Sequence, residues 1–279
     1  MNIILNKDTK ILIQGITQPD IEQRIAQMKA QGAQVVAGIK SAGRGTKISG
    51  IPVFNSVKEA IVETGAQASL ICSAAPDVYY DGLEAVVSGL KLIVCTTYGV
   101  PVHDMVKLLY MVRSYSTCWI GPHSPGIVRV GETSLSMLPK DIFNKGGVSI
   151  VSRSNTVLPE IIQKLSASGL GQNYIIGLGD SLVSGAGFED FLPRLKKDFL
   201  TQAVLLVDEP YGKDQGMADY IKQMKKPVIG FVYPSTKHAN EYSILYNNVS
   251  YLKDAGIPMA ESIEDIPELI NTALVKVRT

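Results

Sequence analysis

The sequence predicts two consecutive α/β domains, the first Rossmann-like and the second flavodoxin-like. Three observations carry this expectation. Short runs rich in Val and Ile alternate with amphipathic stretches from end to end of the chain. Those apolar runs lack strict alternation, as suits parallel strands covered on both faces. The pattern breaks off once, near the middle, and then restarts.

Taken in order, Lys10 to Gln14 (KILIQ) is the first buried strand, and Pro19 to Ala30 follows as a helix whose face is Ile21, Ile25 and Met28. Gln34 to Ile39 is the second strand and Ser56 to Glu63 a helix. Ala68 to Cys72 and Lys91 to Cys95 are strands, each followed by a helix, at Asp77 to Ser88 and Val102 to Ser114. Thr117 to Ile120 closes the first half. Gly126 to Gly146 carries Gly and Pro punctuation without a clear period and reads as a linker. Beyond it, strands are expected at Gly147 to Ser152, Tyr174 to Gly177, Ala203 to Val207 and Pro227 to Tyr233. The intervening helices are Thr156 to Ser168, Phe188 to Lys197 and Gly212 to Met224, with two more at Glu241 to Ala255 and Ile263 to Val275. The domain division is therefore 1–125, a linker at 126–146, and 147–279.

Composition narrows the function classes. The length of 279 residues suits two domains, since one domain runs to roughly 100–200 residues. Hydrophobic residues make up 46% and charged residues 19%, a globular balance that excludes a disordered chain. Lys and Arg number 27 against 26 Asp and Glu, so the net charge is +1 and a dedicated nucleic-acid binder is not expected. No apolar run approaches the roughly 18–20 residues of a membrane span, and the first eight residues lack the pattern of a secretion signal. Cys72, Cys95 and Cys118 sit in or beside apolar runs and read as buried free thiols of a reducing cytoplasm. Cysteine and histidine spacing shows no metal-site pattern.

A set of short motifs then occurs in a fixed order. It begins with Gln14-Gly15-Ile16-Thr17, Gly50-Ile51-Pro52-Val53-Phe54-Asn55, and Gly99-Val100-Pro101 with Asp104-Met105. Next come Ile120-Gly121-Pro122-His123-Ser124-Pro125-Gly126, Gly131-Glu132 and Ile150-Val151-Ser152-Arg153-Ser154. Gly171-Gln172, Gly177-Leu178-Gly179-Asp180, Glu209 and Lys226-Pro227-Val228 complete it. In this the chain resembles the alpha subunits of succinyl-CoA synthetase, within the acyl-CoA synthetase (nucleoside-diphosphate-forming) and ATP-citrate lyase superfamily. The resemblance implies that the first domain binds coenzyme A and that the second carries a phosphorylated histidine. It also implies a separate ATP-grasp beta-type subunit, which phosphorylates that histidine from ATP or GTP. The phosphoryl group passes to a small carboxylate, and coenzyme A displaces it to form the thioester.

Several functional positions depart from the family pattern. The glycine-rich turn after strand one, which wraps coenzyme A phosphates, keeps Gly15 and Thr17 but loses its later glycines and gains Asp20. It reads either as a phosphate cradle or as an ordinary capped turn. The loop Lys40-Ser41-Ala42-Gly43-Arg44-Gly45-Thr46-Lys47 replaces the family lysine by Gly43 but keeps Lys40 and Arg44 near it. It is an anion site or a solvated basic loop. The family's Gly-Pro-Asn-Cys-Pro-Gly becomes Gly121-Pro122-His123-Ser124-Pro125-Gly126. Ser124 and Pro125 would then border the cofactor, and His123 is a donor or base for the acyl group, or a structural hydrogen-bonding residue. Ser152, Ser154, Asn155 and Thr156 match the turn that holds the phosphoryl group, with Asn155 in place of a glycine. His238 aligns with the phosphorylated histidine, but its flanking glycines are missing and its loop is shorter. Glu209 stands where the family has a glutamate beside that histidine. Three functions remain open at this point. One is an active ligase subunit using His238, Glu209 and His123. Another is a non-catalytic coenzyme A-binding or assembly subunit. The third is a different ligation through an acyl phosphate without a phosphohistidine.

Overall fold

The computed structural model describes residues 5–209, 217–233, 252 and 255–278. They divide into two compact units. One runs to Lys140 and takes in Ser181–Ala186; the other holds Asp141–Asp180 and continues from Gly187.

The first unit is built from β1 (Lys10–Gln14), α1 (Ile21–Ala30), β2 (Gln34–Ile39), β3 (Lys47–Ile48), β4 (Ile51–Phe54) and α2 (Val57–Thr64). It continues with β5 (Ala68–Ile71), α3 (Val78–Val87), β6 (Leu92–Cys95), α4 (Val102–Ser114) and β7 (Cys118–Ile120). The sheet order is β3-β4-β2-β1-β5-β6-β7. All neighbours are parallel except β3, which runs antiparallel to β4. With β3 set aside, the parallel strands have the 3-2-1-4-5-6 order of a Rossmann sheet. The strands are covered on both faces, which is why they read as continuous apolar runs: Ile11, Leu12, Ile13, Leu70, Ile71, Ile93 and Val94 are fully buried. Helix α4 turns Met105, Leu108, Leu109 and Val112 inward, at the spacing of one helix face. Helix α2 starts at an N-cap, where Ser56 Oγ accepts from Glu59 N at 3.2 Å.

The segment expected to be a linker is structured instead. Strands β8 (Gly126–Arg129) and β9 (Thr133–Ser136) form an antiparallel hairpin closed by a turn in which Glu132 N donates to Arg129 O at 3.0 Å. Each strand has only four residues, and β9 buries Thr133, Ser134 and Ser136, so no apolar period marks it. Helix α1 also begins at Ile21 rather than at Pro19. Ser181–Ala186 belongs to this unit despite its distance in sequence. Gly185 N donates to Gly121 O at 3.1 Å, Ala186 N to Trp119 O at 2.7 Å, and Val183 packs on the core.

The second unit contains β10 (Lys145–Ser152), α5 (Leu158–Ala167), β11 (Gln172–Gly177), α6 (Phe188–Lys197) and β12 (Ala203–Asp208). Then follow α7 (Met217–Lys222), β13 (Val228–Val232), β14 (Met259–Ala260) and α8 (Ile266–Arg278). Its parallel strands run in the order β14-β13-β12-β10-β11. Numbered within the unit this is 2-1-3-4-5, the flavodoxin-like order. Helices α5 and α6 bury Ile161, Ile162, Leu165, Phe188, Phe191 and Leu192 against it. Among the described residues, no helix is long and apolar enough to cross a membrane, and no cluster of three or more His, Cys, Asp or Glu forms a metal site.

Candidate functional site

In each sheet the first strand lies between neighbours reached by connections running opposite ways, β2 and β5 for β1, β11 and β12 for β10. At such a reversal the loops part beyond the carboxyl ends of the strands and leave a crevice, where α/β proteins bind ligands.

At the first crevice, Gly15 opens the turn after β1 with φ +90°. A Cβ there would stand 2.6 Å from Ser73 N, so the turn lies directly against the end of β5 and only glycine fits. Thr17 is exposed in this turn, and Gln18 N closes it on Gly15 O at 3.1 Å. Asp20 flanks helix α1 without capping it; its carboxylate is paired with Arg24 at 2.5 Å, which offsets the negative charge at the helix start. Beneath the turn, buried Gln14 accepts from Ser69 Oγ and donates to Asp81 O, both at 2.8 Å. Ser73 donates a short hydrogen bond to the Asp81 carboxyl. Burial raises the Asp81 pKa, and the Ser73 bond works against that rise.

The polar edge continues toward β7. Thr97 Oγ1 donates to Ser73 O at 2.7 Å, His123 N to Thr97 O at 2.9 Å, and Ser124 N to Cys95 O at 3.1 Å. Gly121, at φ +101°, would place a Cβ 2.3 Å from Cys95 O, and the Gly121-Pro122 peptide is cis. His123 has φ +52°, a conformation in which Asn and His are enriched among non-glycine residues. His is therefore well suited to this position of the loop. Its ring meets the edge of Tyr98, centroids 4.7 Å apart, and Tyr98 is 76% exposed. Ser124 is buried, and its hydroxyl accepts from Gly126 N at 2.8 Å, so it shapes the loop; half-buried Pro125 accepts from Met137 N at 2.9 Å. On the other side of β1, Lys40 and Arg44 lie exposed in the loop after β2, with Lys40 N bonded to Phe54 O at 3.0 Å.

At the second crevice, Ser152 ends β10. Its hydroxyl donates to Ser154 O at 2.8 Å and accepts from Ser154 N at 3.1 Å, folding the turn that leads to α5. Helix α5 begins only at Leu158, so Asn155 and Thr156 lie in the turn before it. Ser154 Oγ is fully buried and has no hydrogen bond of ordinary length among the described residues. It lies by the half-buried Glu209 carboxyl, whose pKa is raised by burial, lowered by Ser154, and raised again by Asp180 and Asp208. Arg153 does not turn to the crevice as an unengaged cation. Its Nε stands 3.5 Å from buried Asp208 Oδ1, and its guanidinium covers the Phe188 ring at 5.1 Å. His238 lies outside the described residues.

Comparison with known proteins gives these edges a context. A family model described as a CoA binding domain matches residues 6–99, and one described as a succinyl-CoA ligase like flavodoxin domain matches residues 145–245. The succinate–CoA ligase (ADP-forming) alpha 2 subunit of Archaeoglobus fulgidus is 40% identical over 233 residues, covering 83% of this chain and 81% of that one. The alpha subunit of Staphylococcus epidermidis strain ATCC 12228 is 33% identical over 289 residues, 99% of this chain and 94% of that one. The chain belongs to the succinate–CoA ligase alpha-subunit family. Among solved structures, ATP citrate lyase from Methanothrix soehngenii, in complex with citrate and coenzyme A, shares the fold with a TM-score of 0.84 at 16% identity. This chain is covered over 99% and spans about half, 51%, of the lyase chain. The dinucleotide-forming acetyl-coenzyme A synthetase 1 of Ca. Korarchaeum cryptofilum, in its apo form, gives 0.78 at 20% identity, over 97% of this chain and 60% of that one. Within this alpha-type chain, Gly15, Ser73, Thr97 and His123 form one connected edge. Ser73, Asp81, Thr97, Tyr98 and Asp208 were not among the residues the sequence singled out. Asp208 had a legible signal, a second carboxylate beside Glu209 at a strand end. The others are joined only by strand order.

Proposed function

We propose that the chain is the coenzyme A-binding alpha-type subunit of a cytoplasmic acid–thiol ligase. With an ATP-grasp beta-type partner it joins a small carboxylate to coenzyme A at the expense of ATP or GTP. The observation that carries the reading is the first crevice, where the Gly15 turn, Ser73, Thr97 and His123 line one side of the strand reversal and the basic loop lies beside it. The turn fits an anion because Asp20 is already paired with Arg24 and Gly15 leaves no side chain in the way. Gly15, Thr17, Lys40 and Arg44 would take the phosphates of coenzyme A. Ser124 and Pro125 would shape the loop where its thiol arrives, and His123 would donate to or accept from the acyl carboxyl.

In the second unit, His238 is the proposed carrier. A ring nitrogen takes the γ-phosphoryl group and the nucleoside diphosphate leaves. A carboxylate oxygen then attacks the phosphorus, giving an acyl phosphate and free His238. The thiolate of coenzyme A attacks the acyl carbon, and inorganic phosphate departs. Ser152, Ser154, Asn155 and Thr156 would surround the phosphoryl group, Ser154 with a buried hydroxyl and Glu209 as a hydrogen-bond acceptor for the ring.

The test is incubation of the chain and its co-purified partner with radiolabelled ATP, followed by an assay for acid-labile, base-stable phosphate on His238. Labelling that disappears in His238→Ala supports the ligase. A second reading, a coenzyme A-binding or assembly subunit without phosphohistidine transfer, is favoured by the loss of the glycines that flank the family histidine around His238. Coenzyme A binding and hetero-oligomer formation without labelling would select it.

A further inference from the structure

Three loops of the first unit meet around His123. The loop after β7 carries His123 itself, whose main-chain N–H ties it to Thr97 O in the loop after β6 at 2.9 Å. The segment Ser181–Ala186 runs back along the same loop. Ala186 N donates to Trp119 O at 2.7 Å, Gly185 N donates to Gly121 O at 3.1 Å, and Ser181 Oγ stands 3.5 Å from Pro122 O. Residues 96–101, 121–125 and 181–186 hold no Lys, Arg, Asp or Glu. They present apolar groups instead. Tyr98, 76% exposed, packs edge-on with the His123 ring, and Leu182, next to Ser181, is 83% exposed. One exposed apolar side chain is ordinary. Two of them beside a histidine, in loops without a charge, form a surface that favours an apolar ligand.

The missing charge decides between acids. Taking an ionised carboxylate out of water without a partner is costly, so a diacid needs a cation or donors for its second carboxylate. The basic loop with Lys40 and Arg44 follows β2, which is separated from β6 by β1 and β5. Those three strand spacings amount to about 14 Å, and β7 is one spacing further. The two carboxyl carbons of a four-carbon diacid lie only about 4 Å apart. Helix α4, which follows the first of the three loops, carries Asp104 in its first turn, and this offsets the positive end of its dipole.

We infer that Tyr98 and Leu182 are specificity-determining residues that hold the tail of the acid. The substrate class is then an apolar monocarboxylate, branched or aryl, rather than a dicarboxylate. This rests on the ligase reading above, which places the acyl carboxyl at His123, and adds to it what lies beyond the carboxyl. Steady-state thioester formation by the chain with its co-purified partner, on isovalerate, phenylacetate, acetate and succinate, tests it. The better of isovalerate and phenylacetate should exceed both acetate and succinate in kcat/KM about tenfold or more, the low end of what one methylene-sized difference gives in an apolar site. Tyr98→Ala should lower the ratio of that acid to acetate about tenfold, and Tyr98→Phe, which keeps the ring, should keep the ratio. Leu182→Lys supplies the cation that the loops lack and should raise succinate relative to the apolar acid several-fold. Wild-type preference for succinate or acetate overturns the inference alone. So does a Tyr98→Ala change that lowers all acids alike, since a merely structural role in the loop after β6 would do that. No thioester from any of the four acids overturns the inference, and if His238 also stays unlabelled by radiolabelled ATP the ligase reading falls with it.

Discussion

Glu209 sits half-buried beside Ser154, Asp180 and Asp208, and burial together with the two acids holds its pKa above the ordinary 4.5. A raised carboxyl pKa means that the charged form is disfavoured in the fold. Its contribution to stability is complete below pH 4.5 and is lost as the pH rises through the folded value. Glu209→Gln should therefore be more stable than the wild type at pH 7, with the gap closing as the pH falls toward 4. Thermal unfolding of both proteins across that range measures it, and a gap that widens on acidification contradicts the assignment. The cysteines give a second residue-scale expectation. Burial pushes the thiols of Cys72 and Cys95 up to about 12, while Cys118 is only half-buried. A thiol reagent at pH 8 should modify Cys118 first and reach the other two only on unfolding. Peptide mapping of the labelled protein reads this, and early labelling at Cys72 would sink it.

Between elements, the seam of α3 and α4 is set by one small residue. A Cβ at Gly82 would stand 2.6 Å from Leu108 Cδ2 and 2.8 Å from the Trp119 ring. Trp119 is buried in the core and cannot withdraw freely. Valine at this position gains a few tenths of a kcal/mol in helix propensity over glycine, and overpacking a filled core costs about 1–3 kcal/mol. Overpacking wins, so Gly82→Val should lower the urea midpoint by an amount equivalent to about 1–3 kcal/mol with little change in slope. An unchanged midpoint would show that the helices simply move apart. The elements differ in how visible they are before folding. Helix α4 is written in the spacing of Met105, Leu108, Leu109 and Val112, so its bounds are those expected. The β8–β9 hairpin is invisible to the same reasoning. Its second strand is buried at all four positions, three of them polar (Thr133, Ser134 and Ser136), and their burial is decided by what covers them.

For the whole molecule, both unit architectures follow the family. The proposed chemistry needs a nucleotide-binding module that the two matched family models, at 6–99 and 145–245, do not describe. The purified chain should therefore show no ATP-dependent thioester formation alone, and should gain it only with a beta-type partner that co-purifies as a hetero-oligomer. A coupled assay for nucleoside diphosphate release, with and without the partner, measures this. Turnover by the isolated chain would contradict the division of labour.

The alternation of Val- and Ile-rich runs with amphipathic helices was sufficient to determine two α/β units and most of their strands. Each such signal is local: a residue's place in a run and its own hydropathy set the period. Gly15 and Glu209 stood out through the resemblance alone, as residues of its motifs at strand ends. Tertiary structure alone decided which polar groups meet. Gln14, Ser69, Asp81 and Ser73 join because β5 returns beside β1, and Thr97 and His123 extend the edge because β6 and β7 follow on that side. Arg153, inside the Ser152–Thr156 motif, is engaged by Asp208 and Phe188. A hydrogen bond or ion pair depends on the partner that strand order delivers, and strand order is a property of the assembled sheet rather than of any stretch of the chain.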